Sequence, residues 1–504
     1  MKYIFGLMFG FMPVVASAAV GLADFVEFSG EAVGDSAGTY VASGGDVNGD
    51  GYDDFVVGAP SNSAGSAYLV YGQSGKLSSA SLSTAIEFSG ETNNDAAGTS
   101  ITIVGDVNGD GYDDIVVGAD KASTSAGAAY LIYGQTSQLS SANLSTTIKF
   151  SGATAGDRAG YAVDGAGDVN NDGYDDFLVG ALGEDTGGSA AGAAYLIYGQ
   201  ATTLTAASLS TKPKFYGEAA GDQAGTALAG SGDVNNDGYD DILVGAELNG
   251  AADAGAAYLI YGQSSSFTGS TSLGTVVEFT GEVANDRAGV SLAGTGDANN
   301  DGYADLVIGA KGNDDAASAA GAAYIIYGQA ANLASASLST AIEFTGVADS
   351  DQAGYSVSGA GDVNNDGYDD FLVGAINGDI VYLVTGQSST LVAASLSTKT
   401  SFAGEVEGDA AGSWVGGGDI NGDSQSDILV GAYNNDDGGS DAGAAYVGYL
   451  YVDADRDGVA GTSGLLATGS DCSDSDATVS SNQTYYQDSD GDGLGSDTTT
   501  SVCS

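Results

Sequence analysis

The 504-residue chain contains no histidine, only 11 lysines and arginines, and two cysteines, Cys472 and Cys503, both near its C-terminal end. Without histidine, Ser-His-Asp catalysis, most catalytic zinc sites and a charge switch near neutral pH are excluded. With no cysteine earlier in the chain, the main body has no disulfide to rely on, which leaves size and bound metal to stabilise it. The few basic residues face 67 Asp and Glu, for a net charge of −56. Such a surface offers nothing for phosphate, so nucleic acid is excluded as a natural partner. A solvated acidic surface and a store of bound cations are the two readings of that charge. Long apolar runs are also missing beyond the start. Lys2, the apolar residues 3–15 and Ala16-Ser17-Ala18 read as a secretory signal over 1–18. The run is short for a membrane span. The expectation is an exported, monomeric chain with no membrane span, either soluble or held at a surface by a partner.

What the chain does have is one loop, repeated. Residues 45–59 read Gly-Asp-Val-Asn-Gly-Asp-Gly-Tyr-Asp-Asp-Phe-Val-Val-Gly-Ala. Oxygen-bearing side chains stand at loop positions 1, 3, 5 and 9 (Asp46, Asn48, Asp50, Asp54). Gly51 at position 6 allows a sharp turn, and the carbonyl of Tyr52 falls at position 7. A hard cation takes about 6–8 oxygens, and this spacing wraps the chain around one, with calcium the expected ion. Val57 at position 12 and strand-like flanks exclude an EF-hand. The loop returns as Asp106, Asn108, Asp110, Tyr112 and Asp114, and as Asp168, Asn170, Asp172, Tyr174 and Asp176. Further copies are Asp233, Asn235, Asp237, Tyr239 and Asp241, then Asp297, Asn299, Asp301, Tyr303 and Asp305. The last two are Asp362, Asn364, Asp366, Tyr368 and Asp370, and Asp419, Asn421, Asp423, Gln425 and Asp427. In the seventh copy Ser424 replaces the turn glycine. A fixed period of this size implies a stacked or radial repeat fold.

One unit reads as four short strands: a first entering the loop, a second over residues 54–59, a third over 66–72 and a fourth over 85–89. Four per unit, arranged radially, make a propeller blade. The recurring Tyr residues of the third strand are expected to pack rather than to bind. The seventh unit has no fourth strand after Tyr451, whereas residues 23–30 supply a spare copy before the first unit. The expected fold is therefore all-β, a seven-bladed propeller of four-stranded antiparallel blades over 19–451, closed by the N-terminal strand. Residues 452–504 change character and form a small acidic, loop-rich module. Asp453, Asp455, Asp457 and Asp488, Asp490, Asp492 are two further candidate ligand sets that lack a position-9 carboxylate. A flexible acidic tail is the alternative.

Asp-x-Asn-x-Asp-Gly followed by Val-Gly-Ala-Pro resembles the FG-GAP repeat of integrin α subunits, and the resemblance spans residues 23 to about 451. It implies a seven-bladed propeller, calcium in the hairpin loops and a role in adhesion. Ala-Gly stands in place of Phe-Gly (Ala37-Gly38, Ala97-Gly98, Ala353-Gly354), and only Pro60 completes Gly-Ala-Pro. The chain looks like a bacterial secreted relative, and its tail resembles acidic metal-binding repeats at the ends of secreted bacterial surface proteins. The tail's second copy stops at Cys503-Ser504, as a truncated copy would.

Three functions remain open on sequence. The leading one is an extracellular calcium-binding module that attaches to a surface protein or glycan. The second is a carbohydrate-active enzyme using paired carboxylates such as Glu31 with Asp35, Glu91 with Asp95, Glu218 with Asp222, Glu282 with Asp286 or Glu405 with Asp409. These recur unit after unit, which favours turn and packing roles. The third is a structural surface-layer spacer. If a partner docks, the expected face is the one opposite the ion loops, where the second-to-third-strand loops vary, with calcium bridged by Glu184, Asp185, Asp314 and Asp315.

Overall fold

The computed structural model describes residues 20–250 and 252–450. The expected signal (1–18) and tail (452–504), with the six tail aspartates, lie outside the described residues. Seven sheets are arranged as blades, each running from an inner first strand to an outer edge. In blade 1 these strands are Tyr40–Gly45, Asp54–Ala59, Ser66–Val70 and Ile86–Ser89. The second strand is buried at every position, because it is covered on both faces by neighbouring blades.

Closure occurs through the N-terminal strand. Val26–Ser29 pairs antiparallel with Ala444–Gly448, Phe28 opposite Ala445, and so completes blade 7. Each sheet also carries a fifth strand that the sequence reading does not contain. Ala80–Ser81, from the connection between third and fourth strands of blade 1, pairs parallel with Phe28–Ser29 of blade 7. Val20–Gly21 does the same for blade 6, against Phe402–Ala403. Each outer edge is thus covered by its neighbour, which removes open edges.

The repeating small residues have a steric cause. A Cβ on Gly58 would meet the Gly98 carbonyl at 2.1 Å, and Gly98 itself stands at φ 82°. The glycine of Val-Gly-Ala in one blade therefore lies against that of Ala-Gly in the next. Larger groups fill the space further out. Phe28 meets Phe55 edge-on at 5.2 Å, and Phe150 meets Phe177 at 5.6 Å. The third-strand Tyr68, Tyr130, Tyr195, Tyr258, Tyr324 and Tyr446 are fully buried, as their expected packing role requires. A second tyrosine set clamps blades together: the Tyr71 hydroxyl accepts from the Leu139 amide at 2.9 Å, and Tyr449 accepts from Leu77 at 3.0 Å.

Candidate metal centres

Each ion loop joins the first and second strands of a blade, so all seven open on one face. In loop 1 the Asp46 carboxylate accepts amides from Gly49 (2.7 Å), Asp50 (3.0 Å) and Gly51 (2.7 Å). Asn48 Oδ1 accepts from the Asp50 amide, and Asp50 Oδ1 from Tyr52. Gly51 stands at φ 90°, the left-handed turn that position 6 demands. The candidate ligands at positions 1, 3 and 5 are thus held inward by the loop's own backbone.

Asp54 at position 9 has a second task. It is fully buried, accepting the Val47 amide on one oxygen and the Gly72 amide on the other, both at 2.9 Å. It locks the loop base to the third strand. Burial, opposed by these amides and aided by Asp46 and Asp50, pushes its carboxyl up to about 7. Asp114, Asp176, Asp370 and Asp427 reach about 8, and burial comes first in each case. A buried carboxylate beside two others calls for a positive charge.

Two residues that sequence reasoning left without a role link the loops. The position-8 carboxylate reaches the preceding blade: Asp113 accepts from the Asp46 amide at 2.7 Å, Asp175 from Asp106 at 2.8 Å, and Asp53 from Asp419 at 2.7 Å across the closing seam. Position 4 is the other. It needs positive φ, supplied by Gly49 (71°) or by Asn171 (54°). Asn171 donates to the Gly238 carbonyl of the next loop at 2.7 Å, whereas Gly49 leaves space for the Tyr112 ring.

Calcium fits these residues. Asn108 Oδ1, Asn170 Oδ1 and Asp176 Oδ2 are candidate ligand oxygens, buried and without any donor. Orphaned buried acceptors at positions 3 and 9 are what an oxygen-liganded cation satisfies. Asn48, Asn108 and Asn170 with their loop aspartates would hold it, and its charge would offset theirs.

In three of the carboxylate pairs weighed for catalysis the aspartate is taken up by a turn. Asp35 accepts the Ala32 amide at 2.8 Å, Asp95 the Thr92 amide at 2.8 Å and Asp286 the Val283 amide at 2.8 Å. Each closes the turn that leads into the next blade. Nor are Glu184, Asp185, Asp314 and Asp315 gathered into one bridge. Glu184 pairs with Lys214, Asp185 accepts from Ala190 and Asp314 from Ala319, so three of the four are occupied within their own units.

The FG-GAP repeat signature matches residues 159–197, 224–260, 288–326, 353–391 and 411–447, and an FG-GAP-like repeat matches 46–117. Every blade is reached. The chain belongs to the FG-GAP repeat family. It is an integrin-α-like FG-GAP propeller. It is 30% identical over 217 residues to integrin alpha-5 of Xenopus laevis, covering 42% of this chain and 19% of that one. It is also 30% identical over 215 residues to integrin alpha-V of Gallus gallus, covering 42% and 20%. For integrin alpha-6 of Homo sapiens the figures are 31% over 196 residues, 38% and 16%. The match thus spans about a fifth of each relative. Among the described residues, no helix is long and apolar enough to cross a membrane.

The opposite face of the FG-GAP propeller holds what the sequence reading missed. At the mouth of the central axis, a cavity of about 170 Å³ is lined by Tyr40, Tyr161, Tyr355, Trp414, Tyr433 and Lys311, among others. Tyr40 and Trp414 stack at 3.8 Å across the closing seam. Arg158 lies over Tyr161 at 4.9 Å, and Lys311 over Tyr355 at 5.5 Å. The signal for this cup was positional. After each Ala-Gly the next two residues vary (Thr39-Tyr40, Thr99-Ser100, Tyr161-Ala162, Ser413-Trp414), while the flanking motif does not.

Proposed function

We propose that the protein is a secreted, calcium-binding adhesion or surface-interaction module, a binding protein rather than an enzyme. In this reading the seven loops hold calcium and the opposite face recognises a surface protein or glycan. The observation that carries it is the axial cup. There a frame of near-identical repeats changes residue by residue, and aromatic rings gather around Lys311, which pairs with Glu247 at 2.7 Å. Rigid aromatic platforms edged by paired charges suit the apolar faces and hydroxyls of sugars. The signal-like residues 1–18 support export, and the similarity to integrin α chains supports a surface role.

The test is attachment of the calcium-loaded protein to immobilised glycan, matrix and cell-surface panels. A double Tyr40→Ala, Trp414→Ala variant should lose at least tenfold in apparent affinity, as buried aromatic anchors of a binding surface do. Its calcium titration should match the parent's. Undiminished attachment by a folded double variant, or attachment lost only on deleting 452–504, would move recognition elsewhere.

A further inference from the structure

The axial cup holds hydrogen-bonding groups that the frame does not use, and they narrow what it can bind. Every blade has the same backbone position immediately after Ala-Gly. In blades 1, 2 and 4 it carries a threonine whose hydroxyl donates back to its own turn. Thr39 reaches the Ser36 carbonyl at 2.7 Å, Thr99 that of Ala96 at 2.7 Å and Thr226 that of Gln223 at 2.5 Å. In blades 3 and 6 the residue is Tyr161 or Tyr355, which lines the cup instead. Tyr433, directly after the Val-Gly-Ala of blade 7, joins them there. The hydroxyls of these three tyrosines and the indole N–H of Trp414 have no hydrogen-bond partner among the described residues.

Charge in the cup, by contrast, is already spent. Lys311 Nζ lies 2.7 Å from Glu247, which also has Arg287 at 3.7 Å. Arg158, over the Tyr161 ring, is held by Asp120 at 2.5 Å. A charged ligand would have to break one of these pairs or stay uncompensated, and an uncharged one need not. Burial first, then the nearby Tyr433, Tyr161 and Glu247, pushes the Tyr355 phenol up to about 12, so it keeps its proton and both donates and accepts. Tyr40 and Trp414 line both the cup and the channel beneath it, so their stacked rings form the floor. The volume of about 170 Å³ is small beside the roughly 300–1,000 Å³ of sites for drug-sized ligands, which leaves room for one ring.

We propose that the cup binds one uncharged pyranose, the terminal sugar of a neutral glycan, with its apolar face on Tyr40 and Trp414 and its hydroxyls on Tyr161, Tyr355 and Tyr433. The proposal rests on the reading of the cup as the recognition site and names its ligand. A pyranose meets each feature of the site. Its C–H face suits an aromatic floor. Its ring of hydroxyls suits phenols that serve as donor or acceptor. It carries no charge to set against the Lys311–Glu247 pair. A ring without those hydroxyls would leave the cup's polar groups unpaired, which is how such a site rejects it.

Trp414 is the single tryptophan of the chain, so its fluorescence reports the cup directly. The calcium-loaded protein is titrated with methyl glycosides of glucose, galactose, mannose and N-acetylglucosamine, and with methyl glucuronide, up to their solubility limits. A saturable change with at least one neutral glycoside, and none with the glucuronide, supports the proposal. Tyr161→Phe, Tyr355→Phe and Tyr433→Phe keep the rings, and each should weaken that binding about three- to tenfold, the worth of one neutral hydrogen bond. Their melting temperatures should match the parent's. No response to any neutral glycoside, or an equal response to the glucuronide, overturns the proposal. If no glycoside binds while attachment is still lost in the Tyr40→Ala, Trp414→Ala variant, the cup recognises a protein surface and only the sugar is rejected. If a neutral glycoside binds while attachment survives in that variant, the sugar site stands and the attachment reading fails.

Discussion

The two faces of the propeller are made from the same seven copies, yet they hold the chain in opposite ways. On the loop face, carboxylates accept backbone amides within a loop (Asp46), at its base (Asp54) and across to the preceding blade (Asp113 to Asp46). The connections there are near copies, each with a short turn whose leucine is buried, such as Leu82 or Leu144. On the opposite face a non-glycine residue takes left-handed backbone at the entry to each blade, whereas on the loop face asparagine does so at position 4 of four loops and Ser424 at position 6 of one. The residue before every Ala-Gly does so: Ser36 (56°), Ala96 (58°), Arg158 (57°), Gln223 (56°), Arg287 (56°), Gln352 (58°) and Ala410 (62°). Each costs on the order of 1 kcal/mol. One face is tied by uniform polar bonds, while the other carries varied side chains and the aromatic cup. Uniformity suits a frame, and variation on a frame suits recognition.

The largest expected effect comes from removing metal, which should act on the loop face first. Extracellular loops of this kind have Kd of roughly 10⁻⁴–10⁻³ M. At about ten times Kd each contributes ~1.4 kcal/mol by mass action, so seven contribute on the order of 10 kcal/mol. Calorimetry should show the transition falling steeply on chelation, with magnesium restoring little. An identical transition with and without chelator would remove calcium from the loops and, with it, the proposed basis of the contrast between faces.

Next comes the seam at which both faces close. Deleting residues 20–30 removes Leu22, Phe25 and Phe28 from the core, all buried. At about 1.5–3 kcal/mol each, the loss is roughly 5–9 kcal/mol. It also exposes the edge of blade 7, now paired through Val26 and Val447. The outcome should be aggregation or a large fall in melting temperature, and an unchanged melt would mean the ring closes without this strand.

How much of this was legible follows from the kind of signal. The loops announce themselves by spacing, because coordinating oxygens must recur at fixed intervals. Closure was legible because residues 23–30 duplicate a fourth strand that the last unit lacks. The fifth strand was not, since Ala80–Ser81 is two residues long and pairs in parallel, leaving no alternation to read. Asp53 and its counterparts in the other loops gave no signal, because an amide in another blade has no sequence signature. The cup is assembled from Tyr40, Tyr161, Tyr355 and Trp414, which only the ring brings together.

Between the faces, the channel offers a smaller effect. Asp164 lines it, bonded by the Thr102 hydroxyl and the Gly230 amide, both at 3.3 Å. Burial pushes its carboxyl up to about 7, above the ordinary 3.8. The folded state therefore keeps a proton that the unfolded chain releases near pH 4. That contribution is full below pH 4 and is lost as pH rises through about 7. Channel water moderates it to about 1–2 kcal/mol. In calcium-saturated buffer, Asp164→Asn should raise the melting temperature relative to the parent more at pH 8 than at pH 5. An equal difference at both values would mean that Asp164 is ionised throughout.

The smallest effect tests strain at a loop position that is otherwise glycine. Ser424 takes φ 69° at position 6 of loop 7, where the other loops have glycine. Its amide still reaches Asp419 at 2.8 Å, so the loop keeps its shape and bears the cost locally. Relief of the left-handed conformation is worth about 1–2 kcal/mol, against about 0.5–1 kcal/mol for the freedom glycine adds to the unfolded chain. Ser424→Gly should therefore stabilise the protein by roughly 0.5 kcal/mol without metal. It should also tighten the weakest of the seven loop sites, since the turn no longer resists closing around the ion. Calcium titration of this variant should show a gain at one site and none at the others. If no site tightens, the strain at Ser424 is already relieved by its neighbours, and backbone strain at position 6 has no bearing on metal affinity.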